Sequence, residues 1–270
     1  MKRVYLEITD ACNLNCPFCT YQKGDSFMSL IDIDHYTDQI RPFCSYLYLH
    51  ILGEPLLHPQ FEEILTLLDR KDFKVQLVTN GTLLNKYPHI LEHACLRKLS
   101  ISLHSISYIN VPDAYFITID KLIEDPKDTT IELRFYETEM ISDQLKEYKE
   151  KLINKFGIEQ TKRKDSFKLK DNVYLYKEEL FDWPDISDTV ISYEGTCHGG
   201  VDMLGINHKG DVTLCCLDPL AYNKLGNLKK DHLSDILSSK TYLNYCEEFR
   251  QHKISSELCA RCSYRLRFKA

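Results

Sequence analysis

The sequence has no uninterrupted run of about 18 apolar residues, the length that a helix needs to cross a bilayer. Its N-terminus reaches an acidic residue at Glu7, before an apolar core as long as that of a secretory signal has formed. These two absences argue against a membrane span and against secretion. We therefore expect a cytoplasmic protein that has no membrane partner.

Long basic tracts are also missing. Lys and Arg number 34 against 40 Asp and Glu, which gives a net charge of −6, and no basic tract of six or more residues occurs. Proteins that bind nucleic acid usually carry a basic patch or stripe. The charge pattern therefore gives no support for nucleic acid as a partner.

Cysteine, by contrast, is abundant, at 11 of the 270 residues. Disulfides are rare in a reducing compartment, where clustered cysteines more often bind metal or take part in catalysis. The way in which these cysteines are grouped along the chain is therefore the main functional signal.

Strand and helix patterns alternate over the first two thirds of the chain. Strands are predicted over Val4–Thr9, Tyr46–Ile51, Val75–Thr79, Lys98–Leu103, Ile131–Tyr136 and, more weakly, Asn172–Tyr176. Helices are predicted over Pro59–Lys71 and Glu139–Phe156 from apolar residues at helical spacing. Such alternation predicts an α/β fold with a parallel sheet, either doubly wound or an incomplete barrel. Active residues of such sheets lie at the carboxyl ends of the strands.

A smaller C-terminal module is predicted from about Ser192, where Gly, Asp and Cys become frequent. The pattern from Leu204 to Leu214 predicts a hairpin with its turn at Asn207–Asp211, and one helix is predicted near His232–Phe249. We predict a main domain over residues 1–190 and a C-terminal module over residues 191–270.

Three cysteines, Cys12, Cys16 and Cys19, lie within eight residues directly after the first predicted strand. A loop can wrap three such thiolates around one metal centre, and iron–sulfur clusters are held by cysteine thiolates. Three protein ligands on a four-iron cluster leave one iron open. The alternative is a zinc loop, whose fourth ligand would be a histidine such as His35.

The spacing Cys12-x3-Cys16-x2-Cys19, with Phe18 before the last cysteine, resembles the signature of the radical S-adenosylmethionine (SAM) superfamily. The resemblance implies a partial (β/α)6 TIM-like barrel in which these cysteines hold a [4Fe–4S] cluster. It implies that the open iron binds the amino and carboxylate groups of SAM. Reductive cleavage of SAM would then give a 5′-deoxyadenosyl radical that abstracts hydrogen from a substrate. An external electron donor such as flavodoxin or ferredoxin would reduce the cluster.

Further positions resemble the contacts that this family makes with SAM. The segment Leu52-Gly53-Glu54-Pro55 resembles a Gly-Gly-Glu-Pro segment that contacts the methionyl amino group, with leucine in place of the first glycine. The other positions that the resemblance assigns to the cofactor are Phe18, Asn80, Ser102, His104 and Arg134. The alternative for each is an ordinary turn, cap or packing residue.

The second group of cysteines comprises Cys197, Cys215, Cys259 and Cys262. Four thiolates suit either zinc or an iron–sulfur cluster. The spacing Cys197-x12-Gly210-x4-Cys215 resembles the opening of SPASM and Twitch modules. It implies the shorter Twitch form, a truncated SPASM with a β-hairpin and helix. These four cysteines would then hold one auxiliary [4Fe–4S] cluster, the second cluster of the chain, although Cys216 could replace Cys215.

The favoured reaction is a dehydrogenase-type oxidation of a small molecule, in which the auxiliary cluster accepts the second electron. The alternative is a peptide maturase that performs cross-linking or epimerisation, in which Cys216 or Cys246 donates a hydrogen atom. Free cysteines otherwise pack as small apolar side chains. From a different class, a zinc-stabilised binding module would use both cysteine groups for structure alone.

Overall fold

The structure is a computed structural model that describes residues 1–19, 23–107, 109–136, 142–179 and 182–268. In chain order its strands are β1 (Arg3–Leu6), β2 (Tyr46–Tyr48), β3 (Lys74–Thr79), β4 (Leu96–Ser102), β5 (Thr130–Tyr136), β6 (Glu159–Gln160), β7 (Ser166–Lys170), β8 (Val173–Glu178), β9 (Met203–Ile206), β10 (Asp211–Thr213) and β11 (Gly226–Asn227). Its α-helices are α1 (Leu30–Ile40), α2 (Phe61–Arg70), α3 (Asp113–Glu124), α4 (Asp143–Phe156), α5 (Leu233–Ser238), α6 (Lys240–Arg250) and α7 (Glu257–Arg261). Short 3-10 helices span Pro55–Leu57, Leu84–Lys86, Ile90–Glu92, Leu103–Ile106 and Ser263–Arg267. Within the described ranges, none of the helices combines the length and the apolar content that a membrane span requires.

The chain forms two compact units. The first unit comprises Met1–Cys12, Pro17–Gly53 and Phe181–Ala270, and the second comprises Asn13–Cys16 and Glu54–Leu180. The domain boundary predicted at residue 190 stays a prediction.

In the first unit the strands join in the order β11-β10-β9-β1-β2. Strand β1 is parallel to both of its neighbours, β2 and β9. The predicted hairpin is confirmed as β9 and β10, which pair antiparallel. Its turn needs glycine at Gly210, where φ is +85° and a Cβ would come within 2.5 Å of the Tyr36 hydroxyl. The side-chain oxygen of Asn207 supports the turn by accepting hydrogen bonds from the backbone N–H groups of Lys209 and Asp211.

In the second unit the strands join in the order β3-β4-β5-β8-β7-β6, and β3, β4, β5 and β8 are parallel. The register pairs Ser102 with Arg134 and Arg134 with Tyr176, so the carboxyl ends of three strands lie side by side. The six predicted strands are confirmed as β1, β2, β3, β4, β5 and β8.

Helix α2 confirms the packing expected from its apolar spacing. Phe61, Ile64, Leu65 and Leu68 are each at most 1% exposed. Helix α4 begins where the hydroxyl of Ser142 accepts a hydrogen bond from the backbone N–H of Leu145. Residues 139–141 of the predicted helix lie outside the described residues.

The single helix predicted near His232–Phe249 is wrong, because the structure has two helices there, α5 and α6. The backbone of Ser239 is extended between them, with ψ at 146°. Its hydroxyl accepts a hydrogen bond from the backbone N–H of Tyr242 and so caps α6. Serine is a strong N-cap, and it starts a new helix here within an apolar pattern that reads as continuous.

Candidate functional site

The loop with the first three cysteines is held close to β1. The hydroxyl of Thr9 accepts a 3.0 Å hydrogen bond from the N–H of Ala11 and donates one of 2.7 Å to the carbonyl of Ser26. The Asp10 carboxylate accepts a 2.8 Å bond from the N–H of Ser26. The side chains at the predicted site positions Cys12, Cys16, Phe18 and Cys19 are all partly exposed. The three thiols are free of disulfides, as metal ligation requires.

Residues 13–16 of this loop are fixed by a ring of three polar side chains. The Asn80 amide donates to the Asn13 side-chain oxygen at 2.9 Å, and the Asn13 amide donates to the Thr82 hydroxyl at 2.7 Å. The Thr82 hydroxyl closes the ring by donating to the Asn80 side-chain oxygen at 2.6 Å. The Cys16 sulfur lies 3.8 Å from the carbonyl oxygen of Ser105. The predicted site residue Asn80 therefore helps to position Cys16 through Asn13.

Gly53 lies where no other residue fits. Its φ is +71°, and a Cβ would stand 2.3 Å from the carbonyl oxygen of Thr9 and 2.9 Å from that of Ala11. The backbone of this turn therefore lies directly against the start of the cysteine loop. The close approach explains why residue 53 is glycine.

Glu54 is buried, with 2% of its surface exposed. Its carboxylate accepts 2.7 Å hydrogen bonds from the Thr79 hydroxyl and the Asn80 backbone N–H, and one of 3.1 Å from the N–H of Leu56. Burial raises the pKa of Glu54 to about 7, although these hydrogen bonds act in the opposite direction. The carboxylate thus ties the turn to the end of β3. Its contact with the methionyl amino group stays a prediction.

Ser102 and His104 lie at the carboxyl end of β4 and are 7% and 5% exposed. The His104 Nδ1 lies 3.3 Å from the carbonyl oxygen of Arg134, and its ring centroid is 3.8 Å from that of Tyr136. Burial, and then the charge of Arg134, lower the pKa of His104 to about 3. The ring is therefore neutral at physiological pH. Whether Ser102 or His104 contacts the cofactor stays a prediction.

Arg134 forms an ion pair with Glu178 on the neighbouring strand β8. The two side chains are 18% and 17% exposed. A carboxylate partner is the type of group that was predicted for Arg134, but here the protein supplies it. Binding of the methionyl carboxylate by Arg134 stays a prediction.

The four cysteines of the second group meet inside the first unit. A Cβ built on Gly199 would lie 3.6 Å from both the Cys197 sulfur and the Cys215 Cβ. Burial raises the pKa of each of the four thiols. Neighbouring thiols add to this effect for Cys197, Cys215 and Cys259, and the pKa of Cys259 rises to about 12. The sequence prediction thus named four thiols that lie together.

The surroundings of these thiols are partly apolar and partly fixed by hydrogen bonds. Cys197 and Cys259 pack against a core of Leu214, Phe249, Ile254 and Ala260. The guanidinium of Arg265, 3% exposed, donates to the backbone carbonyls of Cys259, Glu194 and Ser192. Arg265 could not be identified from the sequence, because its partners are backbone atoms far from it along the chain.

The donor set fits an iron–sulfur cluster. Several partly buried thiols close together resist ionisation, and bound metal ions would supply the positive charge that thiolates need. The thiolate ligands of a cluster bind different irons and need not converge on one point. Among the described residues, no group of three His, Cys, Asp or Glu side chains is arranged to hold a single metal ion.

Two further cysteines were predicted as hydrogen donors. Cys216 is partly exposed and hydrogen-bonds with the hydroxyl of Tyr5, and burial raises its thiol pKa to about 12. Cys246 is 4% exposed, and its sulfur lies 3.6 Å from the carbonyl oxygen of Gly200. Its surroundings suit a packing role. Hydrogen donation by either cysteine stays a prediction.

Residues 6–133 match the radical SAM superfamily, and residues 197–263 match the SPASM iron–sulfur cluster-binding domain. The first range contains the three-cysteine loop, and the second contains the four-cysteine group. These matches imply SAM and a [4Fe–4S] cluster in the first range and iron–sulfur binding in the second. They give no support to the zinc-stabilised binding module.

One curated relative is the tungsten-containing aldehyde ferredoxin oxidoreductase cofactor-modifying protein of Pyrococcus furiosus, 34% identical over 89 residues, which are 31% of this chain and 25% of the relative. A probable GTP 3′,8-cyclase of Pyrobaculum aerophilum is 24% identical over 144 residues, 50% of this chain and 46% of the relative. The chain thus spans less than half the length of these curated relatives.

Among solved structures, BtrN in complex with AdoMet and 2-DOIA superposes with a TM-score of 0.61 at 15% identity, covering 97% of this chain and 92% of that one. The structure of anSMEcpe with bound AdoMet and Cp18Cys peptide gives a TM-score of 0.64 at 13% identity, covering 97% and 86%. At such identities the likeness concerns the fold, and it confirms the predicted fold class.

Proposed function

We propose that this chain, whose residues 6–133 match the radical SAM superfamily and whose residues 197–263 match the SPASM domain, is a radical SAM dehydrogenase for a small polar molecule. The observation that carries the proposal is the second group of cysteines, whose partly buried thiols lie together: Cys197, Cys215, Cys259 and Cys262. An oxidation needs a one-electron acceptor after hydrogen removal, and these thiols supply a place for one.

For a secondary alcohol the proposed reaction balances without an external oxidant. Alcohol and SAM give ketone, 5′-deoxyadenosine, methionine and one proton. One electron is needed to start the reaction, and one is released when the substrate loses its proton. An external donor such as flavodoxin or ferredoxin is the proposed source of the first electron. Four protein ligands leave no open iron, which suits an auxiliary site that transfers electrons.

At the first site, Cys12, Cys16 and Cys19 would hold the catalytic cluster. When bound, this cluster and SAM together supply a 5′-deoxyadenosyl radical. The chain's own part would be to position the cofactor with the residues that the resemblance assigns to it: Phe18, Gly53, Glu54, Asn80, Ser102, His104 and Arg134. The hydrogen-bonded ring of Asn13, Asn80 and Thr82 would fix the backbone of the cysteine loop at Asn13. The buried Glu54 would fix its own segment through its bond to Thr79.

A small polar substrate is supported by one face of the second unit's sheet. The Glu132 carboxylate accepts hydrogen bonds from Lys98 at 2.8 Å and from the Ser100 hydroxyl at 3.0 Å. Arg134 and Glu178 continue this face across β5 and β8. Barrel interiors are usually filled by branched apolar side chains. A charged and hydroxyl-rich face suits a substrate that carries hydroxyl or amino groups. The BtrN complex with 2-DOIA offers a small-molecule precedent for this fold.

The alternative, a peptide maturase, is supported by the peptide-bound anSMEcpe structure. In an epimerisation, Cys216 would be the stronger candidate for hydrogen donor, because it is partly exposed whereas Cys246 packs below Gly200. A donor thiol exchanges its proton with water. An epimerase run in D2O would therefore place deuterium on the product carbon, and a dehydrogenase would not.

The first experiment is anaerobic reconstitution followed by measurement of iron, sulfide and 5′-deoxyadenosine in one sample. We expect about eight irons per chain and SAM cleavage that depends on reductant. A panel of amino sugars, cyclitols and short peptides would then be screened for consumption. A ketone formed in a 1:1 ratio with 5′-deoxyadenosine supports the dehydrogenase. A peptide product supports the maturase instead, whether its mass is unchanged, as after epimerisation, or altered by a cross-link.

A further inference from the structure

Glu7, one residue past β1, is a buried carboxylate that links two loops of the first unit. It is 1% exposed. One oxygen accepts a 2.9 Å hydrogen bond from the backbone N–H of Leu52. The other accepts bonds from the backbone N–H of His208 at 3.0 Å and from the Nδ1 of its ring at 2.8 Å. A carboxylate has acceptors on both oxygens, so it can receive all three donors at once.

The first of these loops is the turn expected to bind the SAM amino group. Leu52 precedes Gly53, where a Cβ would stand 2.3 Å from the carbonyl oxygen of Thr9 and 2.9 Å from that of Ala11. The bond from Glu7 fixes the peptide that enters this turn. Loss of the bond would leave a partly buried N–H group without its acceptor, which costs free energy.

The second loop is the hairpin turn that leads to an auxiliary ligand. His208 lies between β9 and β10, and Cys215 follows β10 by two residues. The His208 Nε2 also lies 3.3 Å from the carboxylate of Asp10. The imidazole therefore stands between two carboxylates, and its hydrogen bond to Glu7 holds the hairpin turn to the residue that follows β1.

We propose that Glu7 and His208 are positioning residues that couple the auxiliary site to SAM binding, an inference that rests on the proposed function. Metal ligation at Cys197 and Cys215 would restrict the β9–β10 hairpin and so hold His208 on Glu7. Glu7 then holds the Leu52–Gly53 backbone in the position that SAM needs. Since such coupling is reciprocal at equilibrium, bound SAM should raise the affinity of the auxiliary site for its metal by the same factor.

The test is the dissociation constant of SAM, measured by equilibrium dialysis on the anaerobically reconstituted protein. Glu7→Gln leaves a single side-chain oxygen, which cannot serve both the Leu52 N–H on one side and the His208 donors on the other. It should weaken SAM binding about tenfold while the iron content is unchanged. His208→Ala should do the same, and His208→Asn, which keeps a donor at the position of Nδ1, should restore binding to within about threefold of the wild type.

The control is His93→Asn in the second unit. His93 also stands between two carboxylates, Asp69 at 2.8 Å and Glu62 at 2.9 Å, but it precedes β4 and so lies at the opposite end of the strand from the site. This variant should lower stability without changing the SAM dissociation constant. In the metal-free chain, Glu7→Gln should also speed hydrogen exchange at the Leu52 amide, a readout that needs no cofactor.

Coupling is tested by repeating Glu7→Gln in a Cys259→Ala/Cys262→Ala background. Because that background lacks the metal that restricts the hairpin, part of the hold of Glu7 on Leu52 is already lost, and Glu7→Gln should weaken SAM binding by only about threefold there. An equal tenfold effect in both backgrounds would overturn the coupling. Unchanged SAM binding in both Glu7→Gln and His208→Ala would overturn the positioning role, even though the wild type binds SAM. Failure of the wild type to bind SAM would instead overturn the proposed function.

Discussion

Asn80 donates a 2.9 Å hydrogen bond from its side-chain amide to the side-chain oxygen of Asn13. Asn13 lies between the predicted cluster ligands Cys12 and Cys16, whereas Asn80 follows β3 directly. The backbone carbonyl of Asn80 accepts a 3.0 Å bond from the Tyr115 hydroxyl. The cysteine loop is therefore anchored through Asn80 to a rigid strand end, and its geometry depends on side-chain amides as well as on metal ligation.

Asn80→Ala should reduce the rate of 5′-deoxyadenosine formation at least tenfold, because residues 13–16 lose their anchor. Loss of partly buried hydrogen bonds should also lower the free energy of unfolding of the metal-free chain by about 1–3 kcal/mol. Thr118→Ala is the control, since that exposed hydroxyl bonds only within helix α3. A variant that keeps the wild-type rate of SAM cleavage would show that the ring has no role in positioning the loop.

Cys16→Ala should abolish 5′-deoxyadenosine formation and remove about four irons per chain, leaving the auxiliary iron in place. Cys95→Ala is the matched control, because Cys95 is a buried thiol whose sulfur contacts the Leu65 carbonyl at 3.6 Å. Iron analysis and chromatography of the cleavage products check both results. SAM cleavage by the Cys16 variant would mean that another residue completes the first site.

Cys259→Ala should have the complementary effect. About four irons should be lost, reductive cleavage of SAM should continue, and oxidation of the substrate should stop for want of an electron acceptor. Iron content, 5′-deoxyadenosine and ketone are measured in the same reaction. Full substrate oxidation by a variant that lacks auxiliary iron would contradict the proposed role of the second cysteine group.

The pH dependence of stability should carry a signature of Glu54. Burial raises its folded-state pKa to about 7 from a usual value of 4.5, so the folded chain holds this proton more tightly than the unfolded chain. Its contribution to stability is therefore complete below about pH 4.5 and is lost as the pH rises through 7, a change of about 3 kcal/mol. The free energies of unfolding in urea of the wild type and of Glu54→Gln should be measured from pH 4.5 to pH 8. The difference between them should change by this amount over that range. Parallel curves would show that Glu54 has an ordinary pKa.

The sequence allowed the cysteine ligands to be predicted better than the contacts that hold them in place. Cys197, Cys215, Cys259 and Cys262 were predicted from their spacing and its resemblance to Twitch modules, and they lie together in the structure. Cys12, Cys16 and Cys19 follow β1 as expected.

Other features had no local signal. Glu7 and His208 are 201 residues apart in the sequence, and nothing in the residues around either one predicts their contact. Arg265 is hidden for the same reason, since its partners are backbone carbonyls that any sequence would provide. The break between helices α5 and α6 depends on the capping hydroxyl of Ser239. The helical spacing of apolar residues continues across this position and does not reveal the break.

The pairing of Arg3 with Met203 has a consequence for synthesis of the chain. Strand β1 emerges from the ribosome early, but its neighbour β9 follows only after about 200 more residues, which takes roughly 10–40 s at typical translation rates. Until then β1 has an open edge on one side, and the cysteine loop that follows it is attached to an incomplete sheet. We therefore expect metal insertion at Cys12, Cys16 and Cys19 to follow translation rather than accompany it.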